Sequence, residues 1–481
     1  MLRTVLKSAA TTLLRSPRGR LAILVATLPV TLSPASAAHQ FMFGRLFPEL
    51  PGYAAPDDAA LAALTAAVAD PGPPPVPGPM FDENLDADDN PDRVPAFFTY
   101  FGQFLDHDMT LDTLSLPTGF VDPSTIPNHR DPRLNLDSVY LDGPAANPEL
   151  YEADGERLKV NDRDLPRNPD GSAIVGDPRN DENQVIAQIH VAFLRAHNRL
   201  IDQGYRFEKA RKLMTWRHQW LVVHEFLPEV LDPEVYADVF RPDGTIRTRY
   251  FAPKKAKKAD MPVEFSVAAF RFGHSQVRGS YGITEDGGRA QVFDGTMNDL
   301  HGGRPIAADH LIFWPNFIDV DGVMPTGNLG PLNVSRKIDT LLSRGLFTLP
   351  VPGAAPNGSS ILAMRNIQRA RGYGLPSGQA VAARLGIPIL SNSDIATHIP
   401  RLAILLDPAF AGATPLWLYV LAESQIVHGG AKLGPTGSRI VAEVIGGLLA
   451  NDNRSYYNKL WAPDGDVYRA QDLLREAGLV P

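Results

Sequence analysis

Three short stretches carry residue types that can do chemistry. The first is Phe101-Gly102-Gln103-Phe104-Leu105-Asp106-His107-Asp108. Gln103 and His107 stand four apart, so a helix puts them on one face. Asp106 and Asp108 flank the imidazole and point to other sides. An imidazole titrating near ~6.5 can take up a proton and give it back at neutral pH. Polar groups in so aromatic a stretch are costly to bury without partners; a helix end with solvated acids is the plainer alternative. The second stretch is Asp177-Pro178-Arg179-Asn180-Asp181-Glu182-Asn183. Its acid pair suits the N-terminus of the helix that follows, which alone accounts for it. Arg179 is a permanent cation ahead of a buried helix, a setting in which such a group often meets an anion. The third is Ala268-Ala269-Phe270-Arg271-Phe272-Gly273-His274-Ser275. Gly273 lets a flat group approach His274 closely. On its own, a histidine there is more often a satisfied core residue than a ligand.

These residues need elements to hold them. Pro95 to Met109 reads as a buried helix. From Asp181 to Asp202 the apolar positions Val185, Ile189, Ala192, Phe193, Ala196 and Leu200 recur at helical spacing. Phe207 to Leu231 behaves likewise, and Pro262 to Val277 is a further apolar helix. Helices are also expected at 57–69, 333–345, 378–385, 391–398, 415–427, 436–450 and 468–477, with a loop-rich excursion over 112–180. Strand signals are weak and no repeat is evident. The expected fold class is mainly α: one large domain over 39–481, its helices joined by long loops, as 43 prolines and 40 glycines require.

Composition excludes several classes. The 481 residues include no cysteine, so disulfides, thiolate metal sites and cysteine nucleophiles are out. A net charge of −8 offers no electrostatic footprint for nucleic acid. Residues 1–20 hold Arg3, Lys7, Arg15, Arg18 and Arg20 and no acid; an apolar run from Leu21 to Leu32 and then Pro34-Ala35-Ser36-Ala37-Ala38 follow. This is the pattern of a secretory signal over 1–38, giving a secreted or periplasmic protein, or a cytoplasmic one if the leader is not cleaved. The run is short of the ~20 apolar residues of a membrane span, and no later segment reads as one.

Taken together, GQFLDHD, Arg179 with Glu182, and FRFGHS resemble the distal, arginine and proximal motifs of the animal-type haem peroxidases (the peroxidase–cyclooxygenase superfamily), in a bacterial-type member. Leu194-Arg195-Ala196-His197-Asn198-Arg199-Leu200, Leu134 to Tyr140, Arg365-Asn366, Gly374-Leu375-Pro376 and Leu433-Gly434-Pro435 also match, in order, over roughly 39 to 460. The resemblance implies haem b between distal and proximal helices, with His274 as iron ligand and His107 as the base that moves the peroxide proton. It further implies that Arg179 stabilises charge as the O–O bond breaks and that Gln103 holds a distal water or halide. Asp106 and Glu182 match carboxylates that form ester links to the haem. The implied activity is reduction of hydrogen peroxide with oxidation of small donors (phenols, halides or thiocyanate) through a ferryl/radical cycle, in keeping with a response to oxidative stress.

Departures from the family pattern qualify these roles. Asn183 stands where a sulfonium link would need methionine. Asp108, Asp131, Asn135 and Asp137 match a calcium site, but Asn135 replaces a usual acid and Arg133 lies in the loop; a loop held by Asp–backbone hydrogen bonds is the alternative. Gln379, after Gly-Leu-Pro, is expected to hold the proximal imidazole in place of an asparagine. A fatty-acid dioxygenase or cyclooxygenase-like enzyme is the rival reading. That branch uses a tyrosine three residues before the proximal histidine, and Arg271 stands there. A non-catalytic haem-binding adhesion protein would need only His274.

Overall fold

The computed structural model describes residues 41–481 apart from 54–55, 57–58, 62–63, 65–80, 83–88, 115, 118, 322–331, 348 and 350–360. The leader expected over 1–38, most of the helix expected at 57–69, and the Pro- and Gly-rich stretch at 71–79 lie outside the described residues. Among those described, six helices exceed ten residues: α1 (Ala96–Met109), α2 (Gln184–Asp202), α3 (Phe207–Leu221), α4 (Leu362–Gly372), α5 (Leu416–His428) and α6 (Pro435–Asn451). Helix α1 packs on α2, α2 on α3, and α5 on both α4 and α6. Strands are few and short. Phe41–Gly44 lies between Pro127–Asn128, antiparallel with Phe41 opposite Asn128, and Met261–Pro262, parallel with Phe43 opposite Met261. The fold is mainly α, and no described helix is long and apolar enough to cross a membrane.

Local chemistry explains the main elements. Helix α1 is buried nearly all round, from Ala96 to Met109, with Gln103 and Asp106 half-buried. It therefore stacks aromatic rings on both sides: Phe97 on Phe101, and Phe104 on Phe193 of α2 at 4.7 Å. Helix α2 starts at Asn183, whose side chain accepts from Val185 N and Ile186 N. Helices α5 and α6 are tied by Glu423, fully buried in α5. Its carboxylate accepts from the backbone N–H of Thr436 and Gly437 and from the Thr436 hydroxyl, satisfying the start of α6. Gly434 permits this approach, since a Cβ there would stand 2.4 Å from Glu423 Cγ.

Three expected helices are altered. Residues 207–231 are α3, then one π-turn at Val222–Phe226, then a short helix Leu227–Val230. Residues 262–277 form a π-turn (Glu264–Ala268), a 3-10 turn (Ala269–Phe272) and one α-turn (Gly273–Gln276). No α-helix forms over 333–345, and only a 3-10 turn begins at its end, Arg344–Phe347. Ser335 N donates to Val94 O, Arg336 N donates to Gln276 O, and Leu342–Ser343 pairs as a strand with Phe81–Asp82. Tertiary backbone pairing overrides the local pattern there. Helix α4 was not expected.

Candidate active site

A cavity of about 700 Å3 is lined by Gln103, Asp106 and His107 from α1, by Arg179 and Glu182 from the turn before α2, and by Arg271, Gly273 and His274 from the broken helix. That volume lies in the ~300–1,000 Å3 range of cofactor pockets. Arg365, Arg369 and Tyr373, in and just after α4, complete one wall.

The turn Pro178–Asp181 positions the first group. Asp177 caps it by accepting from Arg179 N, and its carboxylate also accepts from Arg179 Nε at 3.1 Å and from Arg130 Nε at 2.8 Å. Burial alone would raise the Asp177 carboxyl, but Arg179 and Arg130 overcome it and hold the group far below the carboxylate range. Arg179 further donates to the carbonyls of His107 and Thr110 at the end of α1, and its other terminal nitrogen stands 3.8 Å from Asp106 Oδ2. His107 is buried; Nδ1 meets Asn180 Oδ1 at 2.9 Å, and Nε2 lies 3.8 Å from Glu182 Oε1. Burial and then Arg179 push His107 down to about 3, so the ring is neutral at pH 7. Gln103 Nε2 donates one N–H to Glu182 and its Oε1 accepts from Asn183 Nδ2 at 3.1 Å, so Gln103 orients Glu182.

The second group centres on His274, pushed down to about 3 by burial, Arg271 and Arg365. Its backbone is fixed by Trp417 of α5, which donates to Arg271 O, and by Ser275 Oγ, which donates to Phe272 O. His274 Nδ1 lies 2.9 Å from the Asn366 side-chain amide on α4. Gln379 does not reach it, which corrects the expectation. Gln379 Nε2 donates to Leu390 O, Asn392 and Thr414, and its Oε1 accepts from Thr414 N, so it ties chain segments outside the cavity lining. The Arg365-Asn366 pair was visible in the sequence, but its partner on His274 was not, because α4 went unrecognised. Arg271 is lowered to about 10 by burial and by the neighbouring Arg369, which itself stands 3.7 Å from Asp112.

The four residues expected to hold calcium do not assemble. Asp108 accepts from Leu136 N and Ser138 N, so α1 does meet the loop. But Asp131 is bound by Arg133 and Asn135, and Asp137 by Arg130 at 3.3 Å. Among the described residues no three His, Asp or Glu side chains converge on a metal position. The side chains present do not fit calcium; two guanidinium groups hold the loop, aided by the Asp–backbone bonds of the alternative reading.

The animal haem peroxidase family model matches residues 133–459, a segment that holds Arg179, Glu182 and His274, with α1 ahead of it. A peroxidase-like protein of Margaritifera margaritifera is 25% identical over 73% of this chain and 53% of its own length. Peroxinectin A of Dictyostelium discoideum is 29% identical over 59% of this chain and 50% of its own. The chain thus spans about half the length of these relatives. Among solved structures, peroxidase A of Dictyostelium discoideum superposes with a TM-score of 0.65 at 19% identity, covering 91% of this chain and 93% of that one. A fatty acid alpha-dioxygenase of Arabidopsis thaliana gives 0.58 at 15%, covering 92% and 76%. These two likenesses speak for the fold, and the family match over about two thirds of the sequence speaks for descent: the chain belongs to the animal haem peroxidase family.

Proposed function

We propose that the chain is a haem-dependent peroxidase that reduces hydrogen peroxide and oxidises small donors such as phenols, bromide, iodide or thiocyanate. One observation carries the reading: a single cavity is lined by two neutral imidazoles, His107 with Arg179 beside it and His274 with an amide on its Nδ1. The residues present fit a haem. Among the described residues His274 Nε2 has no hydrogen-bond partner, and a Cβ added at Gly273 would meet nothing within 4 Å. Burial first and then the neighbouring Arg369 lower Arg271 and Arg365, so positive charge is crowded onto one wall, and the propionates of a haem would relieve it. His274 would ligate the iron through Nε2, and Asp106 and Glu182 are the carboxylates able to form ester links.

When bound, the haem supplies the redox chemistry. The chain's residues move the proton and steady the charge. His107 Nε2 accepts a proton from incoming hydrogen peroxide and delivers it to the departing oxygen, which leaves as water. Arg179, anchored by Asp177, places a fixed cation where negative charge develops as the O–O bond breaks. The export reading of residues 1–38 belongs to the same proposal. N-terminal sequencing of the mature protein tests it, a start near residue 39 being the expected result.

The test is the absorption spectrum of haem-loaded protein before and after one equivalent of peroxide. A Soret band that shifts with peroxide and returns on adding a phenol or iodide is expected, with the shift slowed in His107→Ala. No Soret band on loading would overturn the assignment of His274. The dioxygenase reading rests on fold likeness; against it, Arg271 occupies the position of the required tyrosine. Oxygen uptake with linoleate and no added peroxide would decide for that rival.

A further inference from the structure

Asn180 sits between two buried imidazoles. Its Oδ1 is 2.9 Å from His107 Nδ1, and its Nδ2 is 2.9 Å from His190 Nδ1 on α2. All three side chains are buried, and His190 packs edge-on against the Phe104 ring. A primary amide has one accepting and one donating end, and a neutral imidazole has one nitrogen of each kind. The three groups therefore share one direction. With Oδ1 toward His107, that Nδ1 must carry hydrogen and Nε2 is bare; with Nδ2 toward His190, that Nδ1 must be bare. Turning the amide over inverts every role. Burial holds both rings neutral at pH 7, down to about 3 for His107 and about 4 for His190, so neither escapes the choice by protonation.

We propose that Asn180, locked by His190, is the positioning residue that holds His107 in the Nδ1–H tautomer and leaves Nε2 bare toward the cavity. The proposal rests on the peroxidase reading and deepens it, because a bare Nε2 is the only form of His107 that can take the peroxide proton. The amide is well placed for this. Asn180 N donates to Asp177 O within the turn that carries Arg179, so one backbone unit delivers both the cation and the tautomer lock. An amide is also a weaker acceptor than a carboxylate and takes up no proton itself. A proton gained at Nε2 therefore stays on His107 and leaves from the same nitrogen.

The experiment uses the full chain labelled with 15N-histidine, whose ring nitrogen shifts distinguish bare from protonated positions. The His107 and His190 signals are assigned by their loss in His107→Gln and His190→Gln. The expected result is Nδ1–H with bare Nε2 at His107, and bare Nδ1 at His190. Asn180→Leu should release His107 into a mixture, and Asn180→Asp, which keeps the acceptor, should not. His190→Phe should loosen the tautomer as well, and His190→Gln, able to accept from Asn180 Nδ2, should restore it. In haem-loaded protein, Asn180→Leu should slow the peroxide-driven Soret change by about ten- to a hundredfold, short of the ~10²–10⁴ that a whole general base contributes. Protonated Nε2 in the unmodified chain, or an unchanged tautomer in both Asn180→Leu and His190→Phe, would overturn the proposal. Should Asn180→Leu fail to fold, the His190 pair decides alone. Undiminished peroxide turnover in His107→Ala would instead sink the role of His107 in the peroxidase reading and leave the tautomer result standing.

Discussion

Replacing Asp177 by alanine should be among the most damaging single changes outside the cavity lining. Its side chain is fully buried between Arg130, whose side chain is 3% exposed, and Arg179. Without the carboxylate both guanidinium groups remain underground, Arg130 with Asp137 and Gly176 O, Arg179 with two carbonyls and a distant Asp106. Removing one partner of a buried ion pair costs about 3–5 kcal/mol. Unfolding some 440 residues near Tm carries roughly 0.9 kcal/mol per degree at ~2.1 cal/mol/K per residue. The expected drop is therefore about 3–6 °C in the thermal midpoint of the haem-free chain. Asp177→Asn keeps the volume and one accepting oxygen and loses only the charge, so its drop should be smaller, about 1.5–3 kcal/mol. The pH dependence checks the cause. A carboxyl held far below its ordinary ~3.9 contributes stability that is fully present above that value and lost only as pH falls through the folded-state value. The deficit of Asp177→Ala should thus be constant from pH 5 to 8 and shrink only below about 4. A drop under about 1 °C, or equal drops for the two variants, would refute the argument that charge pairing dominates here.

Other perturbations follow from the same contacts. Asn366→Leu removes the amide beside His274 Nδ1 and should weaken haem binding by about 10–100-fold in a Soret titration, whereas Gln379→Leu should leave that affinity unchanged. Glu264→Ala strips the buried acceptor from Leu46 N (2.8 Å) and Phe47 N (3.2 Å). It should cost about 1–3 kcal/mol for each orphaned donor and speed proteolysis within residues 41–50. Stability of the haem-free chain should fall steeply below about pH 4 and gain nothing above about pH 7. Burial raises Asp108, Glu182, Glu225 and Glu423 to about 7 and Asp137 to about 6, so each loses stability as pH rises toward those values. Burial lowers His107, His218 and His274 to about 3 and His190, His197 and His224 to about 4, so each loses stability as pH falls below ~6.5. Below the ordinary carboxyl range the histidines and Asp177 still titrate against folding; melts that keep strengthening above pH 8 would contradict this.

Much of the scaffold was legible because periodicity reports burial directly. Helix α2 follows from Val185, Ile189 and Phe193 facing inward, and the four-residue spacing of Gln103 and His107 does place both on the cavity. What was missed depends on partners distant in sequence. Residues 333–345 read as a helix until Val94 and Phe81 offer their backbones. Gln379 looked suited to His274 by its place after Gly-Leu-Pro, yet Asn366 is 92 residues from His274 and reaches it only because α4 packs there. Asn180 and His190 carry no signal in composition or spacing. Asn180 stands beside Arg179 in the turn and His190 lies ten residues on, inside α2, and only the fold puts 2.9 Å between their side chains. The loop over 130–137 does meet Asp108, but its two arginines, Arg130 and Arg133, turn inward, which charge counting along the sequence does not reveal.

The segment from Asp177 to Asn183 explains why so many polar groups can be buried at once. Consecutive residues of a tight turn point in different directions, and here each finds its own partner. Asp177 takes Arg130, Arg179 takes Asp177 and the end of α1, Asn180 takes two imidazoles, Asp181 takes Arg167, and Asn183 takes Gln103 while capping α2. The turn is braced from outside by 300–303, where Gly302 N donates to Glu182 O and Gly303 N to Asp181 O. Gly302 is required for that approach, since a Cβ would fall 1.8 Å from Asp181 O. Buried ion pairs of this kind add little net stability over apolar packing. Their return is orientation: Arg179 and His107 are held by groups that cannot relax without exposing another charge. An active site that must present one bare nitrogen and one fixed cation to a small oxidant needs that rigidity more than it needs the few kcal/mol that an apolar turn would add.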